Sequence, residues 1–336
     1  MLRTATVSML ALATAFPALA SELNLYSSRH YDTDLQLYEA FTEATGISIN
    51  LIEGSGDELQ ARIEAEGANS PADLLLTVDA GRLHRAEMAG LFQPVESESL
   101  VQRIPADLRH PDNLWFGLTT RARVIFYNVE NGLPDGVSRY EDLADPALEG
   151  EICMRSSSNI YSVSLMAEMI DALGEEAAQE WARGLGNNLA RAPQGGDTDQ
   201  IRAVAAGECA IGISNTYYWG RLKSSSNPED VAVAEATAFI FPNQEDRGTH
   251  TNISGAGVLV NAPNKDNAIA FLEYLVSDEA QQILADGNNE YPVAPGVEIT
   301  GPMAAFMDFR RSDVNASIFG TNAAAAVTVW DRAGVP

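Results

Sequence analysis

The segment WFGLTTRARVIFYN, Trp115 to Asn128, is extended and rich in threonine, valine, isoleucine and aromatic residues, the composition of a β-strand. On either side of it the chain alternates strand-like and helix-like pieces. Upstream, ELNLYSS reads as a strand, with Leu23 and Leu25 alternating against polar neighbours. TDLQLYEAFTEATG reads as a helix in which Leu35, Tyr38 and Phe41 recur at three-residue spacing before Gly46. ISINLIE is again strand. In SGDELQARIEAEG, Ser55 and Glu58 have the spacing of a capping box, and Gly67 ends the helix. ADLLLTV is a continuous apolar run, as in a strand covered on both faces, and AGRLHRAEMAG is a helix stopped by Gly90. Downstream, EICMRS and CAIGISN read as strands. SVSLMAEMIDALG, EEAAQEWARGLG, TDQIRAVAAGE and the late pair NAIAFLEYLVS and DEAQQILADG read as helices.

Alternating strands and helices predict a parallel sheet with helices on both faces. Two such stretches joined by the 115–128 strand predict an α/β protein of two lobes. Exported solute receptors close such lobes around a ligand held in the cleft between them.

The first twenty residues carry one arginine, an apolar run from Val7 to Phe16, and then Ala18-Leu19-Ala20, the pattern of a signal peptide cleaved after Ala20. The run is too short to span a bilayer. Removing 20 of 336 residues leaves 316, and losing Arg3 takes the formal charge from −26 to −27. Such an acidic surface argues against nucleic acid and anionic membranes as partners. Cys153 and Cys209 are the two cysteines, and an even count in an exported chain predicts a disulfide between them.

No GxSxG elbow, Walker loop, HExxH pair or dinucleotide glycine fingerprint occurs, and the four histidines show no metal-ligand spacing. RSSSN, Arg155 to Asn159, leads into a helix and reads as serine capping of its first turn. The tyrosines are more informative. Tyr31 follows the first strand in YSSRHY, Tyr161 follows EICMR, and Tyr217 and Tyr218 follow CAIGIS. Ligands of open α/β sheets bind beyond the carboxyl ends of the strands. Tyrosines grouped there can stack on a sugar or cation, act as a general acid, or ligate a metal as phenolates. The last use requires a strongly Lewis-acidic ion, because free tyrosine has a pKa of roughly 10. Ferric iron fits, softer ions preferring thiolate and imidazole. Three phenolates neutralise a tripositive ion, and nearby arginines favour the phenolate form.

At these residues the chain resembles the periplasmic ferric-ion-binding proteins of bacterial iron ABC transporters. The likeness runs through NLYSSRHYDTD, PADLLLTVDAGRL, RSSSNIYSVSL, PQGGDTDQIRAVAAGEC, NTYYWGRL and NNEYPV, essentially the whole mature chain. It implies a type II periplasmic-binding-protein fold, each lobe a central sheet flanked by helices. The first lobe would take 21–119 plus about 245–295, the second 120–244 plus about 296–336. It implies that Tyr217, Tyr218 and Tyr161 bind iron from the second lobe and Tyr31 from the first, with His30 beside it as a ligand in some members. Arg121 and Arg221 fall where the tyrosine-rich subgroup has arginines behind the phenolates. Another branch supplies a glutamate after the threonine of the AD…T strand and completes its site with an exogenous anion. Here that position is Val78, which implies a site needing no such anion.

The expected function is therefore a monomeric, non-enzymatic periplasmic receptor that binds Fe(III), without an organic cofactor, and delivers it to an inner-membrane permease. A rival reading is a receptor for a small organic cation such as a polyamine, with Trp219 and the tyrosines as an aromatic box, which requires carboxylates at the cleft. An enzyme using tyrosine as general acid lacks a partner base.

Overall fold

The computed structural model describes residues 21–29 and 31–336; the expected signal peptide, 1–20, and the candidate ligand His30 lie outside the described residues. The strands described are β1 (Glu22–Ser27), β2 (Ser48–Glu53), β3 (Leu74–Val78), β4 (Phe116–Asn128), β5 (Ile152–Cys153), β6 (Ile211–Asn215), β7 (Thr237–Ile240), β8 (Thr251–Val258) and β9 (Tyr291–Pro292). The α-helices are α1 (Asp32–Thr45), α2 (Gly56–Glu66), α3 (Ala80–Met88), α4 (Glu98–Arg103), α5 (Ile160–Leu173), α6 (Glu175–Asn187) and α7 (Asp197–Ala205). They continue with α8 (Thr216–Lys223), α9 (Pro228–Ala236), α10 (Lys265–Leu275), α11 (Asp278–Asn288), α12 (Ser317–Thr321) and α13 (Ala323–Ala333).

Local chemistry explains several of these bounds. Ser55 Oγ accepts from the Glu58 amide at 3.3 Å while Glu58 Oε2 accepts from the Ser55 amide at 3.0 Å, the predicted capping box of α2. The serines of RSSSN do not cap α5 as expected. Asn159 does, its Oδ1 accepting from the Tyr161 amide at 3.0 Å, while Ser157 Oγ is drawn away to the Val335 carbonyl at 2.8 Å. Leu74, Leu75, Leu76 and Thr77 of β3 are all buried, consistent with a strand covered on both faces.

The strands run β2-β1-β3-β8-β4-β6-β5, with β7 and β9 also paired to β4. Only the pairs β1–β2, β1–β3 and β5–β6 are parallel; β8 is antiparallel to β3, and β4 is antiparallel to β8, β6, β7 and β9. The expected parallel sheet therefore holds where a helix crosses over between strands. It fails for β4 and β8, which come from distant parts of the chain and are not linked by a single helical crossover. Phe116 to Ala122 pair with β8, whereas Arg123 to Tyr127 pair with β6. One strand thus changes partner between Ala122 and Arg123 and belongs to both halves. Gly255 permits its close approach to β8, since a Cβ there would lie 2.6 Å from the Phe116 carbonyl oxygen.

Hydrophobic packing divides likewise. Leu25, Leu75, Phe116 and Phe271 share one core, and Ile152, Met166, Trp181 and Trp330 another. A smaller cluster joins Phe126, Leu222, Phe239 and Tyr291. The molecule is a mixed α/β fold of two lobes with a cleft between them. Cys153 and Cys209 form a disulfide, Cα–Cα 5.8 Å, tying β5 to the turn before β6. No described helix is long and apolar enough to cross a membrane.

Candidate metal centre

Helix α8 begins at Thr216, immediately after β6 ends at Asn215. Consecutive side chains on a helix diverge by about 100°, not the half-turn of a strand. Tyr217 and Tyr218 therefore lie side by side, ring centroids 4.2 Å apart and planes at 31°. Tyr161 stands in the first turn of α5, and its hydroxyl oxygen is 3.2 Å from that of Tyr217. Tyr31 precedes α1 on the opposite side of the cleft. The four tyrosines line one cavity of about 310 Å³, together with Arg29, Arg82, Arg221 and Val78, and with Ser28, Ser55 and Gly56 at its edge. Among the described residues no carboxylate lines it.

Guanidinium groups surround the phenols. Arg221 spans the cleft, its Cζ 4.5 Å from the Tyr31 ring centroid, 4.9 Å from Tyr217 and 5.8 Å from Tyr218. Arg121, Arg123 and Arg155 stand 5.6, 5.8 and 5.3 Å from the Tyr161 ring, and Arg29 stands 4.7 Å from Tyr31. Arg29 is held by Asp34 at 2.8 Å and Glu290 at 3.0 Å. Arg123 and Arg155 share Asp197. Arg121 is 2% exposed and 3.8 Å from Asp79, yet neither of its Nη atoms is hydrogen-bonded. Arg221 has no ion pair among the described residues, and its buried Nη2 lacks a hydrogen bond. Helix α8 can carry Arg221 this close because residue 220 is glycine: a Cβ there would sit 2.6 Å from Asn289 Cβ.

Burial, with Glu290 adding to it, pushes the Tyr31 hydroxyl up to about 12 against the opposing pull of Arg29 and Arg221. Burial raises Tyr217 well above the ordinary phenol range, and any negative charge on Tyr161 or Tyr218 raises it further. Tyr218 is raised by burial, then by Tyr161 and Asp197. These three phenols therefore keep their protons at neutral pH until a ligand displaces them.

The structure brings Tyr31, Tyr161, Tyr217, Tyr218, Arg121 and Arg221 together. Trp219 turns away from the cavity: its ring packs 5.6 Å from Phe239 and 5.5 Å from Phe306, and Nε1 donates to the Ala234 carbonyl. The aromatic box of the organic-cation reading thereby loses its tryptophan, while the tyrosines remain. Sequence reasoning missed Arg123, Arg155, Asp197 and Glu290. Arg121 and Arg123 did leave a signal, being two charges two residues apart on an otherwise apolar strand. Glu290 and Asp197 left none, since their partners lie 261 and 74 residues away.

Known proteins bear out this architecture. Residues 69–305 match the model of the bacterial extracellular solute-binding protein family. Iron uptake protein A1 of Synechocystis sp. is 52% identical over 318 residues, 95% of this chain and 88% of that protein. Iron uptake protein A2 of the same organism is 55% identical over 300 residues, 89% of this chain and 85% of that protein. The solved structure of Trichodesmium FutA (IdiA) in complex with iron and citrate ligands has a TM-score of 0.92 at 55% identity, covering 94% of this chain and 100% of that one. The ferric binding protein from Campylobacter jejuni has a TM-score of 0.88 at 42% identity, with 94% and 100% covered. The two lobes are thus those of the type II periplasmic-binding-protein fold. The chain belongs to the bacterial extracellular solute-binding protein family.

Proposed function

We propose that this chain is a non-enzymatic, monomeric periplasmic receptor that binds Fe(III) through the phenolates of Tyr31, Tyr161, Tyr217 and Tyr218 and delivers it to an inner-membrane ABC permease. The observation that carries the reading is a cavity lined by four tyrosines and three arginines, with no carboxylate among the described residues. A polyamine or other organic cation would find tyrosine faces there but guanidinium groups and no carboxylate among the described lining residues to balance its charge. Phenols become anions when a strongly Lewis-acidic ion takes their protons, and the arginines then become counter-charges. The relatives support the reading through their names, iron uptake proteins and major ferric iron-binding proteins.

Charge matching favours four phenolates. Around the phenols, Arg29, Arg82, Arg121, Arg123, Arg155 and Arg221 face Asp34, Asp57, Asp79, Asp197 and Glu290, a surplus of one positive charge. A ferric ion with four phenolates carries one net negative charge, which cancels it. A ferrous ion with the same ligands would leave an uncompensated negative charge in a buried site, costly in a low dielectric. His30 is held in reserve as an alternative first-lobe ligand.

We assign the site to the tyrosine-rich, anion-independent subgroup, Val78 lining the cavity where a ligating carboxylate would stand. The first lobe is assigned to 21–119 plus about 245–295 and the second to 120–244 plus about 296–336; these bounds separate Phe116 and Phe271 from Ile152 and Trp330, while Ala316 and Phe319 of the last segment pack into the first core. Purified protein mixed with a ferric chelate should turn orange to red through phenolate-to-iron charge transfer. A colourless chain that takes up no iron would sink the proposal. Because the Trichodesmium relative was seen with citrate, the titration is run with and without citrate; colour only with citrate would reassign the subgroup.

A further inference from the structure

Directly after Val78, the backbone turns at Asp79 with φ 79°, a conformation that costs energy in any residue but glycine. The side chain is fully buried. Its Oδ1 accepts from the Gly81 amide at 2.9 Å, capping α3, and Oδ2 accepts from Asn252 Nδ2 of β8 at 3.0 Å. Its own amide donates to the Ile253 carbonyl. These bonds hold the carboxylate to α3 and to β8, an interior strand of the sheet. One more bond leaves the first lobe: Ser164 Oγ, on α5, donates to Oδ1 at 2.8 Å, and Ser164 is itself fully buried. Helix α5 is the one that carries Tyr161 in its first turn.

We propose that Asp79 is a positioning residue, and that its bond to Ser164, beside the contact of Glu168 with His250 farther along the same helix, is a clasp that fixes α5, and with it Tyr161, against the first lobe when the cleft is closed. The inference rests on the ferric-receptor reading for its consequence, which is retention of the metal. The geometry of the clasp stands apart from that reading. A buried hydroxyl donating a hydrogen bond to a carboxylate makes a strong bond, and in the proposed clasp this bond opens when the lobes part. A strained backbone fixed from three sides leaves the carboxylate no other place to go, so the bond acts as a defined stop. Without it the lobes close less firmly, and Tyr31 and Tyr161, on opposite sides of the cleft, hold one ion together for less of the time.

The test uses Ser164→Ala, with Ser162→Ala as its control and Ser164→Thr as rescue. Ser162 lies on the same helix, equally buried, with a hydroxyl that has no hydrogen-bond partner. Small-angle X-ray scattering of the metal-free chains should show a larger radius of gyration for Ser164→Ala than for the wild type and Ser162→Ala. Transfer of iron from the loaded protein to excess EDTA should speed up by about ten-fold in Ser164→Ala, the effect of one charge-assisted bond. The charge-transfer band should keep its wavelength, and Ser164→Thr should return the rate towards wild type. Equal release from wild type and Ser164→Ala, or an equal acceleration in Ser162→Ala, overturns the clasp. If the wild-type chain takes up no ferric ion, the proposed function falls and the scattering comparison alone decides the clasp.

Discussion

The hydroxyl oxygens of Tyr161 and Tyr217 are 3.2 Å apart, although 56 residues separate them and each begins a different helix. Two phenols at that distance share one proton comfortably and two negative charges badly. Burial and mutual repulsion keep Tyr217 protonated. A cation between the two oxygens would reverse the preference, and in the proposed site this pair is where metal and protons compete.

The Tyr217→Phe/Tyr218→Phe double variant should lose the visible charge-transfer band and bind ferric iron more weakly than the ~10–100-fold loss typical of removing an outer partner of a metal site. Tyr161→Phe should weaken binding while leaving a band of altered wavelength. Absorbance titration against a competing chelator reads both; a double variant as coloured as the wild type would remove the pair from the site.

Iron uptake should acidify a weakly buffered solution. Burial pushes Tyr31 up to about 12 and holds Tyr217 and Tyr218 above the ordinary phenol range, so each of these phenolates formed at neutral pH releases one proton. Apparent affinity should therefore fall by roughly ten-fold per phenolate for each unit of acidification. The same shifts act on the metal-free fold in the opposite range. A raised phenol stabilises the fold fully below its unfolded value and loses that contribution as pH rises through the folded one. For Tyr31 that window runs from 10.0 to about 12. Proton release measured by stopped-flow indicator should approach four per iron, and fewer than two would break the four-phenolate assignment.

Arg221→Gln removes the guanidinium that bridges Tyr31 and Tyr217 across the cleft. Ferric affinity should drop by about 10–100-fold. The loss should be greatest at low ionic strength, where long-range electrostatics is least screened. An unchanged affinity would mean that Arg221 serves packing alone.

Gly220→Ala drives a methyl to 2.6 Å from Asn289 Cβ, forcing α8 away from the α11–β9 turn. Overpacking of this kind costs about 1–3 kcal/mol of stability. Thermal denaturation should show the loss, and the same displacement should weaken iron binding because Tyr217, Tyr218 and Arg221 move with the helix.

The cysteine pair closes a loop with a sequence separation of 56. In the chain-entropy account such a cross-link stabilises the fold by about 4 kcal/mol. Denatured, unreduced protein should show no reactive thiol, and Cys153→Ser/Cys209→Ser should unfold at markedly lower denaturant.

Much of this architecture was legible because period and punctuation are local. Leu23 and Leu25 alternate as a strand must, Ser55 and Glu58 cap as their spacing says, and the tyrosines follow strand ends visible as apolar runs. What stayed hidden depends on partners far along the chain. Nothing near Thr251 says that β8 will lie antiparallel between β3 and β4, because register there is set by packing across the molecule. Asp79 looks, by alternation, like a residue pointing away from the cleft. Its positive φ breaks that alternation, and no residue pattern announces such a turn at an aspartate. Glu290 likewise reads as an ordinary acid in a loop until Arg29, Thr119 and Ser254 are seen around it.

A strand that belongs to two sheets behaves as a leaf spring and not as a swivel. When the lobes of this molecule part, β4 must flex where its pairing passes from β8 to β6, between Ala122 and Arg123. Arg121 and Arg123 flank that point and both stand over Tyr161. Bending the spring would change the positive field on Tyr161 in the same movement that opens the mouth of the cleft, so in the proposed receptor mechanical opening and chemical loosening of the cargo form a single coordinate.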